Sequence, residues 1–206
     1  MHPLDALLSP AEQRLISTVL VRPDRDFGTL ELLKRMGNSR SAGSTAIKRW
    51  VDAGLLRERK VGNQRRLSAN PQFLLYPELR RMVLKTRGLT EPLAKALAPV
   101  ADRLTQAFVF GSVASGNDTS ESDIDLALVG DVDLFAVSPL LDDVQAELGR
   151  AIHVNVYSAK EWARDDPVLA VIKHGPRLEL MEAIHAEAAR VRQPIEDRQL
   201  LGSRHQ

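Results

Sequence analysis

The chain has 206 residues, 44% of them hydrophobic and 27% charged, with a net charge of +1; that is room for one large domain or two small ones, each with its own core. It contains no Cys, which excludes disulfides, thiolate metal sites and a cysteine nucleophile. No apolar run approaches membrane-spanning length, and MHPLDALLSPAEQ has no basic stretch leading into an apolar one, so no membrane contact and no signal peptide are expected and the location is read as cytoplasmic.

The near-zero net charge hides an uneven distribution. Residues 34–66 carry ten Lys or Arg against two acids, whereas residues 104–149 carry nine acids and no Lys or Arg. This asymmetry predicts two modules with different partners, a polyanion for the first and a cation such as a metal ion for the second.

In chain order, SPAEQRLISTVLV (9–21) predicts a helix: Ser9 is a good N-cap, Pro10 suits the first helical position and Glu12 can close a capping box. TLELLKRMG (29–37) predicts a second, short helix ended by Gly37. RSAGSTAIKRWVDAGLL (40–56) predicts a third, with Ile47, Trp50 and Val51 as its apolar stripe and Gly54 at its C-cap. LLRERKVGNQRRLSANP (55–71) then reads as two strands about the turn pair Gly62-Asn63. Three helices followed by a basic hairpin resemble the winged helix-turn-helix domain. That resemblance implies double-stranded DNA as partner, with the helix over 40–53 in the major groove and the hairpin along the backbone. Arg40, Ser41, Ser44, Thr45, Lys48 and Arg49 would come from the helix, and Arg65 and Arg66 from the hairpin. Phosphate contacts call for Lys and Arg, whereas base edges call for groups such as Ser, Thr or Arg.

Residues 69–106 are helical in pattern, punctuated by Pro71, Pro77 and Pro92, and read as a stiff connector because they are neither Gly/Ser-rich nor poor in apolar residues. AFVFGS (107–112) is then a short apolar strand ending in Gly-Ser. In DIDLALV (123–129), Asp123, Asp125, Ala127 and Val129 share one face by period two, while Ile124, Leu126 and Leu128 point the other way, into a core. Two carboxylates on one face repel unless a cation sits between them, and Mg²⁺ is commonly held by one or two carboxylates plus substrate phosphates. Gly111 allows close backbone approach to a ligand, and Ser112 offers a hydroxyl and an N–H at the start of a helix.

Gly-Ser followed after ten residues by Asp-x-Asp resembles the nucleotidyltransferase superfamily of polymerase-beta-like fold, in its minimal branch. The likeness runs through FGSVASG (110–116) and SDIDLALV (122–129). With the N-terminal half included, nearly the whole chain is similar to bacterial proteins that fuse a winged helix to such a domain. The resemblance implies that Gly111 and Ser112 hold a nucleoside triphosphate (NTP) and that Asp123 and Asp125 hold Mg²⁺ or Mn²⁺. Two departures bear on catalysis. Ser115 stands where active relatives often have Arg in G-S-x-A-R-G, and the strand AIHVNVYS (151–158) carries no third carboxylate. His153 best matches the place of that acid, with Asn155 the alternative; a His there can bind a transition metal, act as a base or serve only structure. Asp131 and Asp133 read as loop acids, and His174 and His185 as surface residues. No P-loop, nucleophile elbow or H-E-x-x-H motif is present.

The expected architecture is α/β (α+β). It comprises a winged helix-turn-helix domain over 1–70, a helical connector over 71–106, a nucleotidyltransferase-like domain with a small mixed sheet and flanking helices over 107–192, and a polar, frayed tail over 193–206. The expected function is a DNA-binding transcriptional regulator whose second domain binds Mg-NTP with weak or absent transfer. The alternative is an active enzyme that moves a nucleoside monophosphate to a protein or small-molecule acceptor. A third reading is a degenerate module that serves only to form a homodimer.

Overall fold

The computed structural model describes residues 3–36 and 40–202. The chain is a mixed α/β protein of two compact units. One comprises Met1–Leu89 together with Asp118–Ser122, and the other Thr90–Asn117 together with Asp123–Gln206. Of the expected connector, residues 71–89 cluster with the first unit and 90–106 with the second.

In the first unit, α1 (Pro10–Val21) starts at the Ser9–Glu12 capping box with Pro10 at its head, and its apolar face buries Leu15, Ile16, Val19 and Leu20. A two-residue strand β1 (Phe27–Gly28) leads into α2 (Thr29–Arg35), and α3 (Arg40–Asp52) follows. Ala46, Ile47 and Trp50 turn inward from α3, leaving Ser41, Ser44, Thr45, Lys48 and Arg49 on its outer side. The hairpin β2 (Leu56–Val61) and β3 (Gln64–Ala69) turns at Gly62, where φ is +59°. β1 joins β3 on its free edge, giving a three-stranded antiparallel sheet in the order β1-β3-β2. Gly37 and its neighbours Asn38 and Ser39 lie outside the described residues.

α4 (Tyr76–Leu84) packs on α1. Its Arg80 is buried, donating from Nε to the Leu20 carbonyl at 3.0 Å and from Nη2 to the Asp118 carboxylate at 2.7 Å. The Ser120 N–H donates to the Asp24 carboxylate. These bonds explain why residues 118–122, far along the sequence, belong to this unit.

The second unit is built on a four-stranded mixed sheet in the order β6-β5-β4-β7. Its members are β4 (Leu104–Phe110), β5 (Ile124–Gly130), β6 (Ile152–Tyr157) and β7 (Leu178–Glu179). β4 runs antiparallel to β5 and β7, and β6 runs parallel to β5. The helices are α5 (Thr90–Leu97), α6 (Gly111–Ser115), α7 (Leu134–Leu148), α8 (Ala159–Trp162), α9 (Pro167–His174) and α10 (Met181–Gly202). Asp133, expected as a loop acid, caps α7 by accepting from the Ala136 N–H at 2.8 Å. α10 extends through 193–202 of the expected tail; residues 203–206 lie outside the described residues.

β5 is central, so its far half is covered on both sides: Ala127 and Val129 are as buried as Ile124, Leu126 and Leu128. On the face of Ala127, Phe108 and Ile172 complete a small core against which Phe110, Tyr157 and Trp162 pack. The rings of Phe108 and Trp162 stand 5.8 Å apart, and those of Tyr157 and Trp162 5.3 Å. The same face becomes polar at the start of β5, where Asp125 is only half-buried and Asp123 is exposed.

Candidate functional site

Register brings the polar groups together. In β4–β5 pairing Phe110 lies opposite Asp125, so the residue after it, Gly111, arrives beside that carboxylate. Gly111 has φ +72°, in the left-handed region, and a Cβ placed on it would stand 2.3 Å from Asp125 Oδ2. Any side chain here both strains the backbone and displaces the carboxylate. The Gly-Ser pair is thus coupled to Asp-x-Asp by packing across two adjacent strands, not only by spacing along the chain.

From Gly111 the chain enters the short helix α6, closed by Gly116 with φ +80°. Ser115 donates its hydroxyl to the Ser112 carbonyl at 3.0 Å. It therefore closes the helix turn and offers no cation to a ligand.

On the other side of β5, parallel pairing sets His153 opposite Asp125 and Asn155 opposite Ala127. Directly paired residues share a face, so Asp125, His153 and Asn155 lie on the same side of the sheet. Burial pushes the Asp125 carboxyl above the usual carboxylate range; His153 opposes that shift and the neighbouring Asp123 charge adds to it. A half-buried carboxylate next to a like charge is a place where a cation is stabilising. The donor set of Asp123 and Asp125, with His153 adjacent, suits a divalent ion that takes its remaining ligands from phosphate and water. Among the described residues no group of three or more His, Asp or Glu side chains is arranged to hold a metal ion.

A cleft of about 510 Å³ opens from this point. Its sheet side is formed by Phe110, Asp125, His153, Asn155 and Tyr157, and its opposite wall by Pro167, Val168, Val171 and Ile172 of α9. Sequence reasoning identified the polar end but missed the apolar wall. The signal available was Val168 and Val171, three apart on one helix, yet nothing in the sequence says that they remain exposed.

Residues 94–164 match the family model described as polymerase beta, nucleotidyltransferase. This stretch holds a nucleotidyltransferase domain, and it contains Gly111, Ser112, Asp123, Asp125 and His153. Two solved structures also align with the chain, each over 56% of its length. One is a toxin–antitoxin complex with AMP-PNP, at 19% identity, a TM-score of 0.34 and 96% of that chain covered. The other is a mutant of the toxin–antitoxin pair MntA-HpeT, at 20% identity, a TM-score of 0.33 and 90% of that chain covered. No curated protein matches the chain significantly.

The residues singled out for DNA form a different surface, on the first unit. Ser41, Ser44, Thr45, Lys48 and Arg49 are exposed along α3, and Arg65 is exposed on the hairpin with Arg66 half-buried. Arg40 is the first residue of α3, and its side chain lies outside the described part. Thr45 donates its hydroxyl to the Ser41 carbonyl at 3.1 Å. Several of the cations already have acidic partners that sequence reading did not pair with them: Arg49 with Glu12, Arg59 with Asp26 and Arg65 with Glu58. The Arg59 hydrogen bond holds the Asp26 carboxyl below the usual carboxylate range. The basic run is therefore partly neutralised in three dimensions. Among the described residues, no helix is long and apolar enough to cross a membrane.

Proposed function

We propose that this protein is a DNA-binding transcriptional regulator whose nucleotidyltransferase domain binds Mg-NTP and transfers nucleotide weakly or not at all. The observation that carries the nucleotide half is Gly111 at φ +72° against the Asp125 carboxylate, with Asp123 two residues before Asp125, just ahead of β5. Gly111 and Ser112 would take the triphosphate, and Asp123 and Asp125 would hold Mg²⁺ or Mn²⁺, which would supply positive charge against the phosphates. The weak-transfer half is supported by His153 beside Asp125, where a third carboxylate would assist deprotonation of an acceptor hydroxyl, and by Ser115 where the resemblance leads one to expect Arg. Losing general-base assistance costs about 10²–10⁴-fold in rate.

The regulator half is supported by the order helix, strand, helix, helix, hairpin in the first unit, with β1 closing the sheet. That order is the one expected of a winged helix-turn-helix domain, with α3 for the major groove and the hairpin along the backbone.

The register of His153 with Asp125 also favours a second reading, an active transferase. In it an acceptor oxygen bonds to the α-phosphorus, the bond to the β-phosphate breaks, pyrophosphate leaves and His153 takes the hydroxyl proton. Incubation with α-labelled ATP, GTP, CTP and UTP plus Mg²⁺ or Mn²⁺, with melting temperatures in parallel, separates the two. The expected result is thermal stabilisation by NTP and metal that Asp123→Asn with Asp125→Asn abolishes, little labelled product, and increased transfer in His153→Asp. Robust Mg²⁺-dependent transfer by the parent would overturn the weak-transfer reading, in favour of the second reading if His153→Ala abolishes it and of another base if His153→Ala leaves it unchanged. Equal stabilisation of parent and double variant would remove the site from Asp123 and Asp125.

A further inference from the structure

We propose that the cleft between β6 and α9 is a nucleoside subsite, in which the base of the bound NTP lies on Val168 and Val171 and that purines are preferred. This deepens the nucleotide reading above and rests on it. The cleft is continuous with the phosphate end, since Asp125 and His153 line its mouth. Its character then changes: the residues lining it include no Lys or Arg among those described, so a triphosphate has no counter-charge inside it. The part of an NTP that can enter is the uncharged part, a flat heterocycle on a hydroxylated ring.

The walls suit that moiety. Val168 and Val171 are 68% and 74% exposed, stand three apart on one helix face and present apolar surface that nothing within the unit covers. Tyr157 and Phe110 add aromatic surface, and Asn155 supplies one amide able to donate to and accept from a base edge or a ribose hydroxyl. Along β6, His153 to Tyr157 spans about 13 Å of extended strand, so these groups follow one another away from the carboxylates and toward the core of Phe108, Ala127 and Ile172. The cleft, of about 510 Å³, is broad and open to solvent, so a base laid on the valines would cover apolar surface on one side only. A purine covers more of the valine surface than a pyrimidine, and burial of apolar area is what such a wall offers.

The test uses calorimetric titration of the full chain with Mg²⁺ and, in turn, tripolyphosphate, ATP, GTP, CTP and UTP. The expected order is ATP and GTP tighter than CTP and UTP, and all four tighter than tripolyphosphate. In Val168→Ser with Val171→Ser, purine triphosphates should weaken by about fivefold, the effect of roughly one lost methyl-sized contact, while tripolyphosphate binds as in the parent. Both positions are on the surface, so folding is retained, and an unchanged melting temperature checks it. Equal affinity of the parent for tripolyphosphate and the NTPs, or equal binding of NTPs by parent and serine variant, would overturn the subsite; the second outcome is also the one expected if the cleft receives an acceptor instead. Tripolyphosphate binding that is lost on Asp123→Asn with Asp125→Asn, but without any advantage for NTPs, would defeat the subsite and leave the phosphate site standing. Binding of neither ligand by the parent would defeat both.

Discussion

Gly111→Ala is the substitution through which the local geometry speaks most directly to the site. The new Cβ would meet Asp125 Oδ2 at 2.3 Å, whereas ordinary contact begins near 3.4 Å. The carboxylate must therefore move by about 1 Å, a displacement that in a reacting site can cost about 10²-fold. The positive φ adds its own penalty of about 1–2 kcal/mol to folding stability, because an L side chain crowds the following carbonyl in that region. Gly116→Ala is the matched control. It has φ +80° and nothing within 4 Å of its Cβ position, so it carries the backbone penalty without touching Asp125. Both variants should unfold at lower denaturant than the parent. Only Gly111→Ala should also lose the response to ligand. At an NTP concentration of 100 times the parent's Kd the expected stabilisation is about 2.7 kcal/mol, and a tenfold loss of affinity reduces it to about 1.4 kcal/mol. The assay is denaturant unfolding of the full chain with and without Mg-NTP, followed on the transition that ligand shifts in the parent. Equal ligand-induced shifts in Gly111→Ala and Gly116→Ala would refute the coupling of Gly111 to the carboxylate.

Arg80→Met should destabilise the first unit by about 3–5 kcal/mol, because it leaves Asp118 as a buried charge without its Arg80 partner; adding Asp118→Asn should recover part of the loss in urea unfolding, and a single variant as stable as the parent would remove that ion pair from the ledger. Arg65→Ala with Arg66→Ala should weaken binding to all duplexes and reduce the salt slope by about one to two units, as for one or two lost phosphate contacts, measured by fluorescence anisotropy at several salt concentrations. The smaller value would follow if Glu58 already occupies Arg65. Because Arg59 depresses the Asp26 pKa, that pair contributes stability above the unfolded carboxylate value of 3.8 and loses it as pH falls through the lower folded value. Arg59→Ala should therefore be slightly less stable than the parent near neutrality and converge with it in acid, whereas a constant gap across pH would mean that the pair is not the cause.

The local signals in the sequence were strong where chemistry acts over a few residues. Ser9, Pro10 and Glu12 announce the start of α1 because capping needs only adjacent backbone and side chains. Gly62 marks the hairpin turn because a positive φ there favours glycine. The Gly-Ser and Asp-x-Asp spacing carried the resemblance to the nucleotidyltransferase superfamily, and the turn and the strand alternation around it are readable from order alone. Which residues stand beside the two aspartates was a matter of strand register. His153 and Asn155 were both open from the sequence because their side chains share a face, and only β5–β6 pairing sets one of them opposite Asp125. The reach of Arg80 to Asp118, across 38 positions, and the pairing of Arg49, Arg59 and Arg65 with acids had no local signal at all. Nor did the exposure of Val168 and Val171. Capping, turns and alternation are short-range effects written into neighbouring residues; register, ion pairing and burial depend on which distant segments the tertiary fold brings together, and that is decided by packing of the whole unit.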